Sequence, residues 1–557
     1  MRTKILRTFI TDAGANRPVS RRRSRLLVAA ALVAALAAPA AAAPPADTVA
    51  DAAIAAAVPN PRADGDAGEF VVLRLPTASS ANWTLGDGER VVALPPDRPS
   101  SRVAVSADPT ATRRLADVPV VAVPHLSLSN AGERLRLRRD GVVVATLDYR
   151  SAPAGERLVR TDDGTRWRPV GYRPRAVHRY GPATVTGFVL PDAPSVPVET
   201  LRAAHTRLLL AGYTFTSDRI ADALMAAERR GVEVRVLVDA DPVGGRTEAG
   251  ARVLDRLAAA GVDVAVLGGP RARFDYHHPK YAVVDGRVIV TSENWKPAGV
   301  GGRSSRGWGV VVESPSVATD LDELFRADAG WRDAIPWARF RRGQTFDAGT
   351  PAEGSYPSRF DPTEATAAEV RVLTAPGNAE AALVGVIDGA SDRVDVIQPT
   401  VGRRDGPLLR ATLRAADRGA EVRILLSGAW YVIEENAALV EWLNGVADRR
   451  DLPLTARVAE PSGRYEKIHA KGVVADDVVV VGSLNWNENA VSENREVALA
   501  IRSEALAGYF RETFVADWRA GHGTGRTTWV IVAGAIAALM LALVVARKTI
   551  RFDGGGR

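Results

Sequence analysis

"HHPKYAVVDGRVIVTSEN", His277 to Asn294, is a hydrophobic strand pattern broken by polar residues at definite intervals, and "IHAKGVVADDVVVVGSLN", Ile468 to Asn485, repeats those intervals. Counted from His278 and from His469, both stretches carry Lys at +2, Asp at +7, Ser at +14 and Asn at +16. The residues are His278, Lys280, Asp285, Ser292 and Asn294, then His469, Lys471, Asp476, Ser483 and Asn485. Between Lys and Ser, "AVVDGRVIV" and "GVVADDVVVVG" each read as two strands joined by a tight turn. Residues two apart on a strand share a face, so His278 and Lys280 are expected to project together, with Ser292 and Asn294 beside them from the returning strand. Lys and Asn donate hydrogen bonds, Ser can donate, and His attacks or transfers protons. That set suits a phosphoryl oxyanion. Two half-sites meeting at a pseudo-twofold axis would bring two His and two Lys to one phosphate. His277 adjoins the motif but points to the other face, as a bystander.

The repeat extends beyond the motif. From Val198 the chain alternates buried strand and amphipathic helix: "TRLLLAGYTF", "DRIADALMAAERRG", "VEVRVLVD", "ARVLDRLAAAG". The second half restates the rhythm as "DRVDVIQP", "PLLRATLRAADRG", "AEVRILLS" and "ALVEWLNGVADRR". This is the pattern of an α/β layer with parallel strands. "RRGVEVRVLVD" at Arg229 recurs as "DRGAEVRILLS" at Asp417, displaced by 188 positions, and the two motif histidines are displaced by 191. A near-constant offset over two kinds of landmark marks an internal duplication. The expected halves are residues 186–340 and 367–520, joined by a Gly/Pro/Ser-rich connection over 341–366.

The duplicated motif resembles that of the phospholipase D superfamily, His-x-Lys-x4-Asp followed by Gly-Ser-x-Asn, over about residues 186–520. The resemblance implies that one His attacks phosphorus to form a phosphohistidine. The other protonates the leaving oxygen and then activates water or an alcohol. Lys and Asn side chains would hold the phosphoryl oxygens, and no metal or other cofactor is implied. On this basis His278, Lys280, Asp285, His469, Lys471 and Asp476 are the expected catalytic residues, with Ser292, Asn294, Ser483 and Asn485 binding substrate. The chain departs from the family pattern at two places. The Gly before the motif Ser is Gly482 in the second half but Thr291 in the first. An acidic partner for His is offered by Glu496, twenty-seven after His469, whereas "SSRGWGVVVES" has none at the matching place. Glu496 therefore joins the expected catalytic set as the partner of His469. A carboxylate favours the charged imidazolium, which makes His469 the general acid and His278 the nucleophile. Glu293 or Glu313 serving His278 would undo that argument.

The remaining composition narrows the class. The 557 residues contain no cysteine, which removes disulfides, thiolate metal sites and cysteine nucleophiles. A net charge of +7 permits attraction to phosphates but is spread along the chain. "RRRSRLLVAAALVAALAAPAAAAPPAD" has the layout of a cleaved secretory signal, placing a signal peptide at 1–43 and a linker at 44–65. Near the other end, "WVIVAGAIAALMLALVVARKTIR" holds eighteen uncharged residues, Trp529 to Ala546, followed by Arg547, Lys548 and Arg551. This is long enough for one membrane span at 529–546 with a cytoplasmic tail at 547–557. The expected location is thus the cell membrane, with the catalytic body outside.

Between signal and duplication, short alternating runs such as "EFVVLRL", "RVAVSA" and "RLRLRRDGVVVATLDY" read as an all-β domain. "ANWTLGDGERVVALP" and "LSLSNAGERLRLRRDGVVVATLDYR" resemble a lamin-tail domain, an immunoglobulin-like sandwich, here over 66–175, with Trp83 and Trp167 as core. The fold class expected is therefore an α/β phospholipase D fold of two duplicated halves, preceded by an immunoglobulin-like sandwich and followed by one transmembrane helix. The function expected is metal-independent hydrolysis or transfer at a phospholipid phosphodiester. The alternatives are an extracellular nuclease acting on DNA, and an adhesion or display protein whose site binds phosphate without turnover. The partners are then phospholipid or nucleic acid, and the membrane through the C-terminal helix. Trp295, Trp486, Trp430 and Tyr431 are the aromatics that would seat acyl chains or stack bases, unless they are core.

Overall fold

The computed structural model describes residues 52–520 apart from 77–79, 162–163, 270 and 350. Its first part is a sandwich of two antiparallel-rich sheets. The six-stranded sheet runs in the order Gly164–Pro169, Glu156–Thr161, Ala53–Val58, Phe70–Arg74, Arg102–Ser106, Val120–Ala122. The four-stranded sheet runs Val91–Ala93, Trp83–Gly86, Glu133–Arg139, Val142–Tyr149. Inward residues of both sheets, among them Ile54, Leu73, Val103, Leu135 and Leu147, form one core around fully buried Trp83. Trp167 is only partly buried and meets Tyr149 edge-on at 5.8 Å. At the Arg139–Val142 turn, Asp140 and Gly141 both have positive φ, 50° and 84°, as a two-residue hairpin of this twist requires.

Ala53–Val58 falls in the stretch expected to be linker. Its sequence, AIAAAV, has too little side-chain contrast to announce a strand, yet it pairs on both sides, with Phe70–Arg74 and Glu156–Thr161. Pairing on both sides, with the next strand and with one about a hundred residues on, makes it an interior strand of its sheet. The sandwich also touches the second part directly: Arg62 pairs with Asp275 at 2.7 Å, and Arg332 donates to the Arg113 carbonyl at 3.2 Å.

The second part consists of two mixed sheets of the same topology. In the first half the order is Asp263–Leu267, Glu233–Asp239, Arg207–Gly212, Tyr281–Val284, Arg287–Thr291, Ser305–Glu313, Ala183–Leu190. In the second it is Leu454–Val458, Glu421–Leu426, Arg393–Gln398, Gly472–Ala475, Val478–Gly482, Glu496–Arg502, Glu369–Ala375. The first three strands of each series are parallel and the rest antiparallel. Part of the expected 341–366 connection continues into structure, since Thr363–Ala367 adds an edge strand to Ala183–Leu190.

The outer faces of the sheets bury amphipathic helices such as Asp218–Arg229 and Pro407–Asp417, each over its own core. The inner faces share a third core, in which Trp308, Val310 and Val312 of one half meet Val474, Val481 and Leu499 of the other. A short parallel pairing of Ser305–Arg306 with Lys467–Ile468 joins the sheets directly.

The expected membrane-spanning helix has to be taken out of the fold class. Among the described residues no helix is long and apolar enough to cross a membrane. The longest, Ile433–Arg450, has charged ends with Glu434, Glu435, Arg449 and Arg450. The stretch 529–546, the tail 547–557, the signal 1–43 and the first part of the linker lie outside the described residues.

Candidate active site

Each motif is built on a hairpin, Tyr281–Val284 with Arg287–Thr291 and Gly472–Ala475 with Val478–Gly482. Asp285 and Asp476 occupy the hairpin turns with φ of 54° and 50°. The Asp285 carboxylate accepts the N–H groups of His205, Thr206 and Arg207 at 2.8, 2.9 and 2.8 Å and the Thr206 hydroxyl at 2.6 Å. Asp476 accepts those of Ser391, Asp392 and Arg393 at 2.8, 3.1 and 2.8 Å. Burial works to raise the Asp285 carboxyl, but these donors outweigh it and hold the group at about 2. The two aspartates thus tie the hairpin turns to the starts of the central strands. They are not brought together with the histidines, because seven residues of extended chain separate them.

His278, Lys280, His469 and Lys471 do converge, at the carboxyl ends of the parallel strands. The His278 N–H donates to the Arg495 carbonyl at 3.0 Å, and the His469 N–H to the Arg306 carbonyl at 2.9 Å, so each motif is docked on the other half. Both lysines are buried, and each donates to the carbonyl of its own motif histidine at 2.6 Å. Tyr213, just beyond the strand Arg207–Gly212, places its ring 4.7 Å from His278 and 5.3 Å from the Lys280 ammonium.

The carboxylates are exchanged between the halves. His278 Nδ1 lies 2.8 and 2.9 Å from the two oxygens of Glu496. His469 Nδ1 lies 3.2 Å from Glu293 Oε2. Glu496 is therefore the partner of His278, and the expected pairing with His469 is corrected. The argument that made His469 the acid because it alone had a carboxylate falls with it. Sequence distance misleads here because the strand Glu496–Arg502 starts opposite the other half's motif.

Glu293 is the relocated acid. Strand pairing sets Thr291 against Gly309 and Gly482 against Ala498, which makes Gly307 the counterpart of Glu496. A Cβ at Gly307 would stand 2.2 Å from Glu293 Cγ. The missing carboxylate arrives from the adjacent strand end, and glycine at 307 leaves room for it.

The serines do not share the face of the lysines. Thr291 N–H donates to the Lys280 carbonyl at 3.0 Å, so Ser292 stands opposite Pro279 rather than Lys280. The Ser292 hydroxyl accepts the Trp308 N–H at 3.0 Å, and the Ser483 hydroxyl accepts the Val497 N–H at 3.0 Å. Ser483 also donates to Glu496, which receives the Asn494 amide at 3.2 Å as well. Asn294 is buried with its Oδ1 unpartnered, and Asn485 is half-buried.

Burial decides the electrostatics. It pushes His278 down to about 4 against the pull of Glu496, with Lys280 and Lys471 adding to the depression. His469 falls to about 3 through burial and then Lys471, against Glu293. Lys280 drops well below its usual range and Lys471 to about 8, burial being the main cause for both. Among the described residues no group of three or more His, Cys, Asp or Glu is placed to hold a metal ion.

Sequence reasoning missed Tyr213, Asn494, Arg306 and Arg495, which carry no motif. Arg306 reaches across to Asp517 at 2.7 Å and Arg495 to Asp328 at 2.9 Å, both pairs buried. Trp295 and Trp486 are core: the Trp295 indole donates to the Ala211 carbonyl at 2.9 Å, and Trp486 is 3% exposed. Beside Tyr213 a cavity of about 490 Å³ opens in the first half, lined by Leu254, Trp337, Phe340 and Phe346 together with the charged Asp239, Arg246, Arg252 and Lys296.

Residues 198–329 and 383–518 each match the family model described as "Cardiolipin synthase, PLD-like domain". A mitochondrial cardiolipin hydrolase of Mus musculus is 29% identical over 158 residues, 23% of this chain and 65% of that protein. A probable phospholipase D of Caenorhabditis elegans is 25% identical over 342 residues, 54% of this chain and 59% of that protein. The chain thus spans less than two thirds of the length of these curated relatives. Among solved structures, the phospholipase D family member Nuc of Salmonella typhimurium is 24% identical, covering 28% of this chain and 97% of its own with a TM-score of 0.25. Two segments of the chain, one in each half, thus match a phospholipase D-like domain, and the relatives are named as phospholipase D or cardiolipin hydrolase.

Proposed function

We propose that the chain is a phosphodiesterase acting on phospholipids through a phosphohistidine. The observation that carries this reading is the pair of crossed His–carboxylate contacts around two buried lysines. The Glu496 contact fixes the proton on Nδ1 of His278 and leaves Nε2 with its lone pair, which makes His278 the nucleophile. Nε2 attacks phosphorus, the P–N bond forms as the P–O bond breaks, and His469 passes its proton to the leaving oxygen. In the second step neutral His469 takes a proton from water or an alcohol. The new P–O bond then forms and the P–N bond breaks. His469 must gain its proton before the first step, and a bound phosphodiester supplies the negative charge that raises its pKa. Lys280 and Lys471 stabilise the charge on the phosphoryl oxygens. His278, Lys280, His469 and Lys471 are the reacting groups in this reading, Glu293 and Glu496 position the two rings, and Asn294 and Asn485 hold substrate oxygens. The sandwich is read as lamin-tail-like on its own sequence motifs.

The aromatic side chains lining the cavity beside Tyr213 support a lipid substrate, as does the likeness to a cardiolipin hydrolase and a probable phospholipase D. Purified protein is expected to release headgroup from phospholipid vesicles in the presence of EDTA, the buried lysines supplying the charge stabilisation. Cleavage of DNA in preference to vesicles in a matched assay would replace the lipid reading with the nuclease one. Binding of phosphate without turnover of either would replace both.

A further inference from the structure

Among the described residues six large hydrophobic side chains are exposed, and three of them, Val243 at 72%, Trp430 at 87% and Tyr431 at 47%, lie beyond one pair of matching strands. Those strands, Glu233–Asp239 and Glu421–Leu426, start 188 positions apart, and the same offset relates Val243 to Tyr431. Single exposed apolar residues are ordinary on a protein surface. Apolar tips at equivalent places in both halves, each tied to one side of the reaction centre, are not. On one side the Val243 N–H donates to the Tyr213 hydroxyl at 2.5 Å, and the Tyr213 ring lies 4.7 Å from His278. On the other, Tyr431 is tied to the chain that leads into the second motif, at Lys467, two residues before His469. The Lys467 ammonium stands 5.5 Å over the Tyr431 ring, and Trp430 meets that ring edge-on at 5.6 Å.

Trp and Tyr combine an apolar body with a polar edge and suit the boundary between lipid and water, where a neighbouring cation meets anionic headgroups. The scissile phosphodiester of a phospholipid lies in the headgroup layer. A centre flanked by two apolar tips reaches that layer when the tips enter the boundary on either side of it. We infer that Val243, Trp430 and Tyr431 form a rim that inserts into the surface of a phospholipid bilayer and seats the reaction centre on its headgroups. The inference rests on the phospholipid reading for its choice of surface.

The chain has no cysteine, so Trp430→Cys, Val243→Cys and Val142→Cys each give the full-length protein a single attachment point for an environment-sensitive fluorophore. Val142 is 67% exposed on a sandwich hairpin and serves as the control. With vesicles of phosphatidylcholine and phosphatidylglycerol, labels at 430 and 243 are expected to shift to the blue and lose quenching by aqueous iodide, while the label at 142 does neither. Unshifted labels at 430 or 243 on protein that cosediments with vesicles would overturn the rim, as would equal shifts at all three positions or no cosedimentation. Turnover is read separately. Insertion of the rim into vesicles whose lipids stay uncleaved sinks the phospholipase reading alone, and cleavage without insertion sinks the rim alone.

Discussion

His469 depends on a glycine as much as on an acid. Gly307 has no Cβ, and that vacancy is filled by Glu293. In Gly307→Ala the added methyl must displace the Glu293 side chain, at a packing cost of roughly 1–3 kcal/mol. It withdraws the carboxylate from His469, and phosphodiester turnover is expected to fall by on the order of 10²-fold, as for Glu293→Gln. Turnover near that of the unmodified protein in a folded Gly307→Ala variant would show that Glu293 does not serve His469. The motif aspartates give the opposite expectation. Asp285→Ala leaves three backbone N–H groups without their acceptor and should lower stability by about 1–2 kcal/mol, as loss of a helix cap does, with little change in turnover below the melting range. Loss of turnover without a shift in melting temperature would make Asp285 part of the chemistry. Its contribution also has a sign in pH. The folded carboxyl titrates at about 2, below its unfolded value near ~4, so its stabilisation is full above ~4 and disappears as pH falls towards 2.

At the scale of elements, the halves are held by contacts that repeat under the duplication. Arg306 pairs with Asp517 and lies 4.8 Å over the Tyr465 ring, and Arg495 pairs with Asp328 and lies 4.1 Å over the Phe274 ring. Each Arg precedes the position that faces a motif histidine, and its carbonyl receives that histidine's N–H. The buried pairs therefore locate the catalytic backbone as well as the interface. Asp517→Asn leaves Arg306 with Asp192 alone at 2.5 Å and should destabilise the chain by about 3–5 kcal/mol in denaturant unfolding. Arg306→Met combined with Asp517→Leu should recover only part of that loss, because buried Asp192 and Arg464 then lose their partners. A double variant no more stable than the single one would mean that the Arg306 hydrogen bonds to Leu190 and Asp192, not its pairing across the halves, hold this region. The strands and helices of both halves were legible in the sequence because a strand's hydrophobic run and a helix's spaced stripe are local patterns. The exchange of Glu496 and Glu293 was not, because it follows from how two sheets dock, and docking leaves no mark on spacing along the chain.

Over the whole molecule, the same limit explains which parts of the expectation survived. The duplicated offset gave the two matching halves, since related segments fold alike wherever they lie. The Ala-rich strand Ala53–Val58 stayed hidden, because its identity comes from pairing on both sides, with one partner, Glu156–Thr161, far along the chain. The lysines and histidines were found, but the face of Ser292 was misjudged, because the motif's returning strand pairs one residue out of step with the assumed one. His277 illustrates a property visible only in three dimensions. It is fully buried with neither ring nitrogen partnered, and burial pulls it down to about 3, with Asp328 opposing and Arg495, Arg273 and Lys280 reinforcing. With His278 at about 4 and His469 at about 3, three imidazoles stay neutral in the folded chain far below the ~6.5 of an unfolded one. Between those values the unfolded state binds more protons than the native state, so stability falls as pH drops below ~6.5 and this loss levels off below about 3. His277→Leu removes one of the three protons without touching a reacting group, and it also removes two unpartnered buried nitrogens. Its unfolding midpoint in denaturant should match or exceed that of the unmodified protein at pH ~7, and the advantage should widen at pH ~4.5. An advantage that stays constant or shrinks on acidification would show that His277 takes up its proton in the folded state.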